Sequence, residues 1–208
     1  VVTAQSWVLH PYYDPLKIRN DIAIVRLETT VNVKPVSITF EKGFPKVGTM
    51  TKVFGFGKES PDEDEISDEL LEISITVSRT SLCQEKFGKQ NFVSSTQICA
   101  GGLGKVPCRG DSGGPMIVKG FSGKPDVIAG IISFGGIECN QRPAVFTRVS
   151  AYKKWLEENL CRPRQPLPPR WCGNGGSNGN PNKPPIKKRN GNKPLPSGAR
   201  PSTPIKVR

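Results

Sequence analysis

The chain has 208 residues, enough for one or two compact domains. Hydrophobic residues make up 35% of it and the mean hydropathy is −0.39, which suits a modest soluble core. No run approaches the roughly 18 apolar residues that a spanning helix needs. The net charge of +12 divides unevenly: residues 162–208 hold 11 Lys/Arg and no Asp or Glu, leaving 19 basic against 18 acidic residues in 1–161. A nearly neutral first part argues against a folded nucleic-acid-binding surface. No charged-then-apolar signal segment comes after Val1, so the chain is expected to be a processed product or a piece of something longer.

In chain order, short β-branched or aromatic runs are broken by Gly, Pro, Asn and Asp. They fall at 22–27, 50–56, 71–77, 116–118, 127–134 and 144–149. Many short strands with frequent turns predict an all-β sandwich or barrel. Between the second and third runs lies an acidic loop, 58–72, with eight carboxylates. It reads as a solvated surface loop that turns helical near its end, the alternative being a docking site for a basic partner. A helix is expected over 150–160, with Ser150 as N-cap and Tyr152, Trp155, Leu156 and Leu160 forming one apolar face. Residues 162–208 contain 11 prolines and 6 glycines and form a disordered tail, because so few apolar groups cannot offset the ordering entropy. The expected division is therefore a domain over 1–161 and a basic tail over 162–208.

Six cysteines, at 83, 99, 108, 139, 161 and 172, contain no Cys-x-x-Cys pair, and the single histidine, His10, is distant from all of them. No metal site and no cofactor are expected. An even count at long spacings suits disulfides formed in a secreted, extracellular protein; free buried thiols are the other reading.

The segment Cys108-Arg109-Gly110-Asp111-Ser112-Gly113-Gly114-Pro115 carries chemistry. Acyl transfer by a serine needs an activated hydroxyl, a base, an acid that orients the base, and N–H donors aimed at the oxyanion. Glycines around Ser112 let the backbone bend so that the N–H groups of Gly110 and Ser112 can converge on one oxygen.

With this segment, the sequence resembles the chymotrypsin/trypsin family of serine endopeptidases from its first residues to about Cys161. Asn20-Asp21-Ile22-Ala23-Ile24-Val25-Arg26-Leu27 is similar to the family's catalytic-aspartate segment. Gly55-Phe56-Gly57 resembles its Gly-Trp-Gly turn, and Ile98-Cys99-Ala100-Gly101 the strand end before the nucleophile loop. Ile132-Ser133-Phe134-Gly135 resembles the strand along which substrate lies. The order Asp then Ser fits this family among those that use a triad. An acidic loop with an apolar pocket also resembles secreted arthropod proteases.

The resemblance implies a double Greek-key β-barrel with its first barrel incomplete, followed by a C-terminal α-helix. It implies Asp21 and Ser112 as catalytic, Gly110 and Ser112 as the oxyanion hole, and pairings Cys83–Cys99 and Cys108–Cys139. A third family bridge would need cysteines near Thr51 and Val118, where neither is present. Cys161 and Cys172 either pair with each other or one pairs outside this chain. The pocket floor falls at Val106, with Ser133, Phe134 and Gly135 along the substrate strand. Gly135 leaves the entrance open, and Ala144 stands where glycine is common on the opposite wall. A neutral pocket of this kind implies cleavage after medium apolar residues, because a buried Lys or Arg would lack a partner.

The catalytic histidine is missing. His10 lies 11 residues before Asp21, and the family's base lies much further ahead than the 20 residues available. Also missing is the new amino terminus that in this family pairs with the aspartate before the nucleophile, here Asp111. The expectation is a serine endopeptidase represented by an inactive piece; the alternative is a non-catalytic protease homologue acting as a secreted binding or regulatory protein. Implied partners are a polypeptide substrate and proteinaceous inhibitors, with no membrane span. The tail adds either a polyanion contact or a solubilising extension.

Overall fold

A computed structural model describes residues 2–102, 104, 106–135, 139, 142–161, 172 and 206–207. It is mostly β. The strands are β1 (Val2–Leu9), β2 (Ala23–Leu27), β3 (Ser37–Ile38), β4 (Met50–Gly55), β5 (Leu71–Thr76), β6 (Gln97–Ala100), β7 (Pro115–Val118), β8 (Val127–Phe134), β9 (Ala144–Arg148) and β10 (Lys206–Val207). Two helices, α1 (Thr80–Phe87) and α2 (Lys153–Leu160), complete it. Among the described residues no helix is long and apolar enough to cross a membrane.

The larger sheet runs β5-β4-β7-β8-β9-β6, with β3 added in parallel to β8. It curls until its ends meet: Val77 bridges Ala100, Gly101 N–H donates to Thr76 O at 3.0 Å, and Ser78 N–H donates to Cys99 O at 2.8 Å. Curling converts alternation into an enclosed core, since every second side chain points inward. Val53, Ile75, Ile98, Met116, Ala129 and Phe146 fill that interior. Phe146 is fully buried, and removing its ring would cost about 3–5 kcal/mol.

The smaller sheet pairs β1 with β2, and β10 lies against the first residues of β1. Alternation decides its faces: Val8 and Ile24 turn inward onto Val149, Tyr152, Trp155 and Leu156, joining this sheet to the C-terminal helix. The other face exposes Trp7, Leu9 and Val25, three large apolar side chains in adjacent register.

The predicted runs form strands β2, β4, β5, β7, β8 and β9. Two local expectations are corrected. Helix α2 starts at Lys153 after a 3₁₀ turn at Val149–Tyr152, and Ser150 does not cap it. Its hydroxyl instead donates to Phe44 O at 3.2 Å, a tertiary partner that outcompetes the local one. The acidic loop contains turns and bends but no helix near its end. There Glu65, Asp68 and Glu69 would repel one another at helical spacing, and short side chains take the backbone donors. Glu69 N–H donates to Ser67 Oγ, Asp62 N–H to Ser60 Oγ, and Glu59 N–H to a Glu63 carboxylate oxygen. The predicted tail lies outside the described residues apart from Cys172 and β10.

Candidate active site

Three disulfides join Cys83–Cys99, Cys108–Cys139 and Cys161–Cys172. The second ties the loop around Ser112 to Cys139, which comes after β8. Within that loop Asp111 N–H donates to Cys108 O at 3.1 Å and Gly114 N–H to Asp111 O at 2.8 Å, forming consecutive tight turns. Gly113 N–H donates to Ile132 O and Ile132 N–H to Gly114 O, both at 2.9 Å, so the loop is clamped to β8 next to Ser133.

The carboxylate of Asp111 turns away from the cleft. One oxygen accepts Gly57 N–H at 2.7 Å and the other accepts Cys108 N–H at 2.8 Å. A Cβ at Gly57 would lie 2.5 Å from that carboxylate, and one at Gly55 closer still, so the two glycines make the seat. Gly110 has φ +98°, and a Cβ there would meet Gly57 Cα and Ile66 Cγ2 at 2.9 Å. Both its conformation and its surroundings demand glycine. No carbonyl among the described residues takes the N–H of Gly110 or Ser112.

Asp21 is held from the other sheet. Ser133 Oγ donates to its Oδ2 at 2.6 Å. Thr147 Oγ, on buried β9, donates to the Asp21 carbonyl at 2.7 Å. Tyr152 O–H donates to the Asn20 side chain at 3.2 Å, and burial pushes that phenol up to about 12, with Thr96 opposing the rise and Asp21 adding to it. Tyr13, beside Asp21, is also raised, by burial first and then by Asp21 and Asp14.

Asp21 and Ser112, 91 positions apart, line one cavity of about 470 Å³, whose walls include Leu9, Ala23, Val25 and Ile131. Ser112 borders a second cavity of about 230 Å³ with Ser133, Phe134, Gly135, Ala144 and the Cys108–Cys139 bridge. Gly135 faces Ala144 across it, where a Cβ on the glycine would approach to 3.9 Å. Val106 does not line this cavity; it packs on the barrel core and lines a neighbouring one with Asp111.

His10 is elsewhere. It does not line the Asp21–Ser112 cavity, and its ring lies edge-on to Tyr152 and tilted to Trp155, with centroids 5.2 Å away in each case. Nδ1 accepts Tyr12 N–H at 3.3 Å, and burial lowers the imidazole below its ordinary pKa. Ring packing, not proton transfer, occupies it.

Thr147 and Gln97 escaped the sequence reading, and Tyr152 was read only as part of the helix's apolar face, not as a partner of the Asp21 segment. Gln97 is buried, accepts Val93 N–H and donates to Ile18 O, steadying the turn before Asp21. Nothing local marks these three; their partners in the Asp21 segment lie 79 to 132 positions away.

A curled β-sheet thus presents Ser112, in a glycine-rich loop, to the cavity that a hydrogen-bonded Asp21 also lines, the architecture of the trypsin-like fold. The Trypsin family profile matches residues 1–156, and the chain belongs to the trypsin family of serine proteases. It is 34% identical over 160 residues to Serine protease 56 of Homo sapiens, covering 73% of this chain and 26% of that protein. Phenoloxidase-activating factor 3 of Holotrichia diomphalia is 34% identical over 167 residues, covering 75% and 47%. Chymotrypsin of Phaedon cochleariae is 32% identical, covering 75% and 55%. Among solved structures, neuropsin, a serine protease of mouse brain, superposes with a TM-score of 0.68 at 25% identity, covering 76% of this chain and 71% of that one. The chain thus spans between about a quarter and three-fifths of the length of the curated relatives it matches.

Proposed function

We propose that this chain supplies the nucleophile, the oxyanion donors and the orienting aspartate of an extracellular serine endopeptidase, and that the polypeptide by itself is inactive. The carrying observation is the cavity that Asp21 and Ser112 share while the only histidine packs among Tyr12, Tyr152 and Trp155. In the reaction, Ser112 Oγ attacks the peptide carbonyl and a base removes its proton. The N–H groups of Gly110 and Ser112 stabilise the oxyanion, and Asp21 holds the base in the correct tautomer. Here the base must come from polypeptide or solute that enters the shared cavity.

The acyl-side residue takes the cavity walled by Ser133, Phe134, Gly135 and Ala144. No carboxylate is among its lining residues, which include Arg109, so a Lys or Arg side chain would meet no opposite charge there. Medium apolar residues are therefore preferred over Lys and Arg. Proteinaceous inhibitors would enter the same cleft, and the basic tail would add contact with polyanions.

Loss of one triad member costs about 10⁴-fold in turnover. Ser112 should accordingly label with a fluorophosphonate only at a background rate, and imidazole added at tens of millimolar should raise that rate. Stoichiometric labelling at a rate typical of active proteases, without added imidazole, would overturn the inactive reading.

A further inference from the structure

By composition, residues 162–208 are expected to form a disordered tail, yet one piece of it lies paired on the domain. β10 (Lys206–Val207) runs antiparallel to the start of β1, with Val207 opposite Val2 and Lys206 opposite Thr3. β2 lies on the other side of β1, so β10 occupies the outer edge of the smaller sheet. The sequence of the tail explains why this stretch pairs. Ile205-Lys206-Val207-Arg208 contains no Pro or Gly and sets two β-branched residues at alternate positions, which no other stretch of 162–208 does. Pro204, which has no N–H to give a ladder, confines the strand to the residues after it.

We propose that residues 205–208 are an edge strand supplied in cis: they cap the outer edge of β1 and keep it from pairing with a second copy of the chain. Thr3 O accepts Glu28 N–H at 2.9 Å on the β2 side. Neighbouring residues of a strand point their N–H and C=O groups to opposite sides, so those of Val2 face β10. Beyond Thr3, no strand among the described residues pairs with this side of β1, and Trp7 and Leu9 of the same strand are 64% and 49% exposed. An unpaired edge that also carries exposed apolar side chains is a template for pairing between chains.

The two anchors of the tail lie close enough for such a strap. Arg26 of β2 donates to Asn159 O at 3.0 Å, near the end of α2, and Cys161 just beyond is bonded to Cys172. Arg26 pairs with Ser6 of β1, and Glu28 meets Thr3, so the tail leaves the domain near the end of the sheet where β10 returns to it. The 33 residues between Cys172 and Lys206 span the return. A flexible chain of that length reaches about 30 Å and holds its end at roughly millimolar effective concentration. A pairing this short is too weak to hold two molecules together, but at that concentration it closes in cis and stays releasable. Leu9, at the opposite end of β1, lines the Asp21–Ser112 cavity, so the cap and the cleft are independent.

The test uses the full chain and three variants of it. Thr3→Cys/Lys206→Cys joins the directly opposite pair whose backbone groups point away from each other, where side chains approach most closely. Under mild oxidation it should form a disulfide within one chain, seen as a monomer on a non-reducing gel. Ile205→Pro/Val207→Pro removes the backbone donors of the strap. In that variant, amides of residues 2–4 should lose hydrogen-exchange protection, and sedimentation should shift from monomer to dimer as concentration rises. The substituted positions lie outside the core clusters, so its thermal melt should coincide with that of the full chain. Lys206→Ala/Arg208→Ala keeps every backbone donor and should retain both the protection and the monomer.

Cross-links formed chiefly between chains overturn the proposal, by giving the seat on β1 to the tail of a second copy. A proline variant that stays monomeric at every concentration also overturns it, whatever its exchange rates, because the edge then needs no cap. Loss of protection in Lys206→Ala/Arg208→Ala equal to that in the proline variant overturns it too, by making charge attraction, and not strand pairing, the hold on the tail.

Discussion

Gly57 and Asp111 show how tightly single residues constrain one another around Ser112. The carboxylate needs the Gly57 N–H, and the space for a Cβ at that residue is already taken by the same carboxylate. Gly57→Ala should therefore destabilise the fold by about 1–3 kcal/mol, the range for overpacking a well-packed site. Urea denaturation would measure it; a cost below about 0.5 kcal/mol would mean that the seat yields. His10 provides a pH signature at the same scale. Burial holds its pKa below 6.5, so the fold favours the neutral ring and the unfolded chain binds the proton more readily. Its contribution is complete above about pH 6.5 and is lost as pH falls through the folded value. His10→Phe, which keeps a ring against Tyr152 and Trp155, should reduce the drop in urea midpoint between about pH 7.5 and 5.0. An unchanged drop would place the acid sensitivity elsewhere.

At the scale of elements, strand pairing explains a covalent link that the chain does without. Lys52 pairs with Ile117 and Val53 with Met116, which sets Thr51 opposite Val118. Thr51 is buried, and its hydroxyl donates to Ile75 O at 2.9 Å, so a hydrogen bond within the sheet occupies that position. Thr51→Cys/Val118→Cys should form a disulfide without moving either strand and raise stability by about 2–4 kcal/mol. Comparing denaturation midpoints with and without reductant checks this; equal midpoints would show that the strands do not meet in this register. Six strand runs were legible because each is a short β-branched or aromatic stretch bounded by Gly, Pro, Asn or Asp. β1 was not, since Thr3, Gln5, Trp7 and Leu9 make its outward face mixed in polarity, and neither were α1 or the 3₁₀ start of the C-terminal helix. Those depend on what each segment packs against: Cys83 of α1 is fully buried through its bond to Cys99, while Ser150 turns to Phe44.

For the molecule as a whole, charge is partitioned by sequence position. Residues 1–161 are nearly neutral with an acidic loop beside the cleft, and the 47 residues after them carry 11 positive charges. The full chain should be retained on heparin at physiological salt, and a chain ending at residue 161 with Cys161→Ser should flow through. Equal elution would make the tail a solubilising extension only. The two faces of the β1–β2 sheet are as unlike as the two ends of the chain. One is sealed by the C-terminal helix; the other exposes Trp7, Leu9 and Val25, with Leu9 and Val25 also lining the cavity that holds Asp21 and Ser112.

By itself the sequence determined the family, because the resemblance rests on contiguous segments around Ser112 and Asp21. Gly110 records a local demand for a left-handed backbone, whereas the space kept free at Gly55 and Gly57 is taken by Asp111, which is distant in sequence. The tertiary structure alone decided that Thr147, Ser133 and Tyr152 hold the Asp21 segment and that His10 is packed as a ring. Each of those contacts joins residues that chain spacing leaves unrelated, and only the curling of the sheet and the docking of the C-terminal helix bring them within reach.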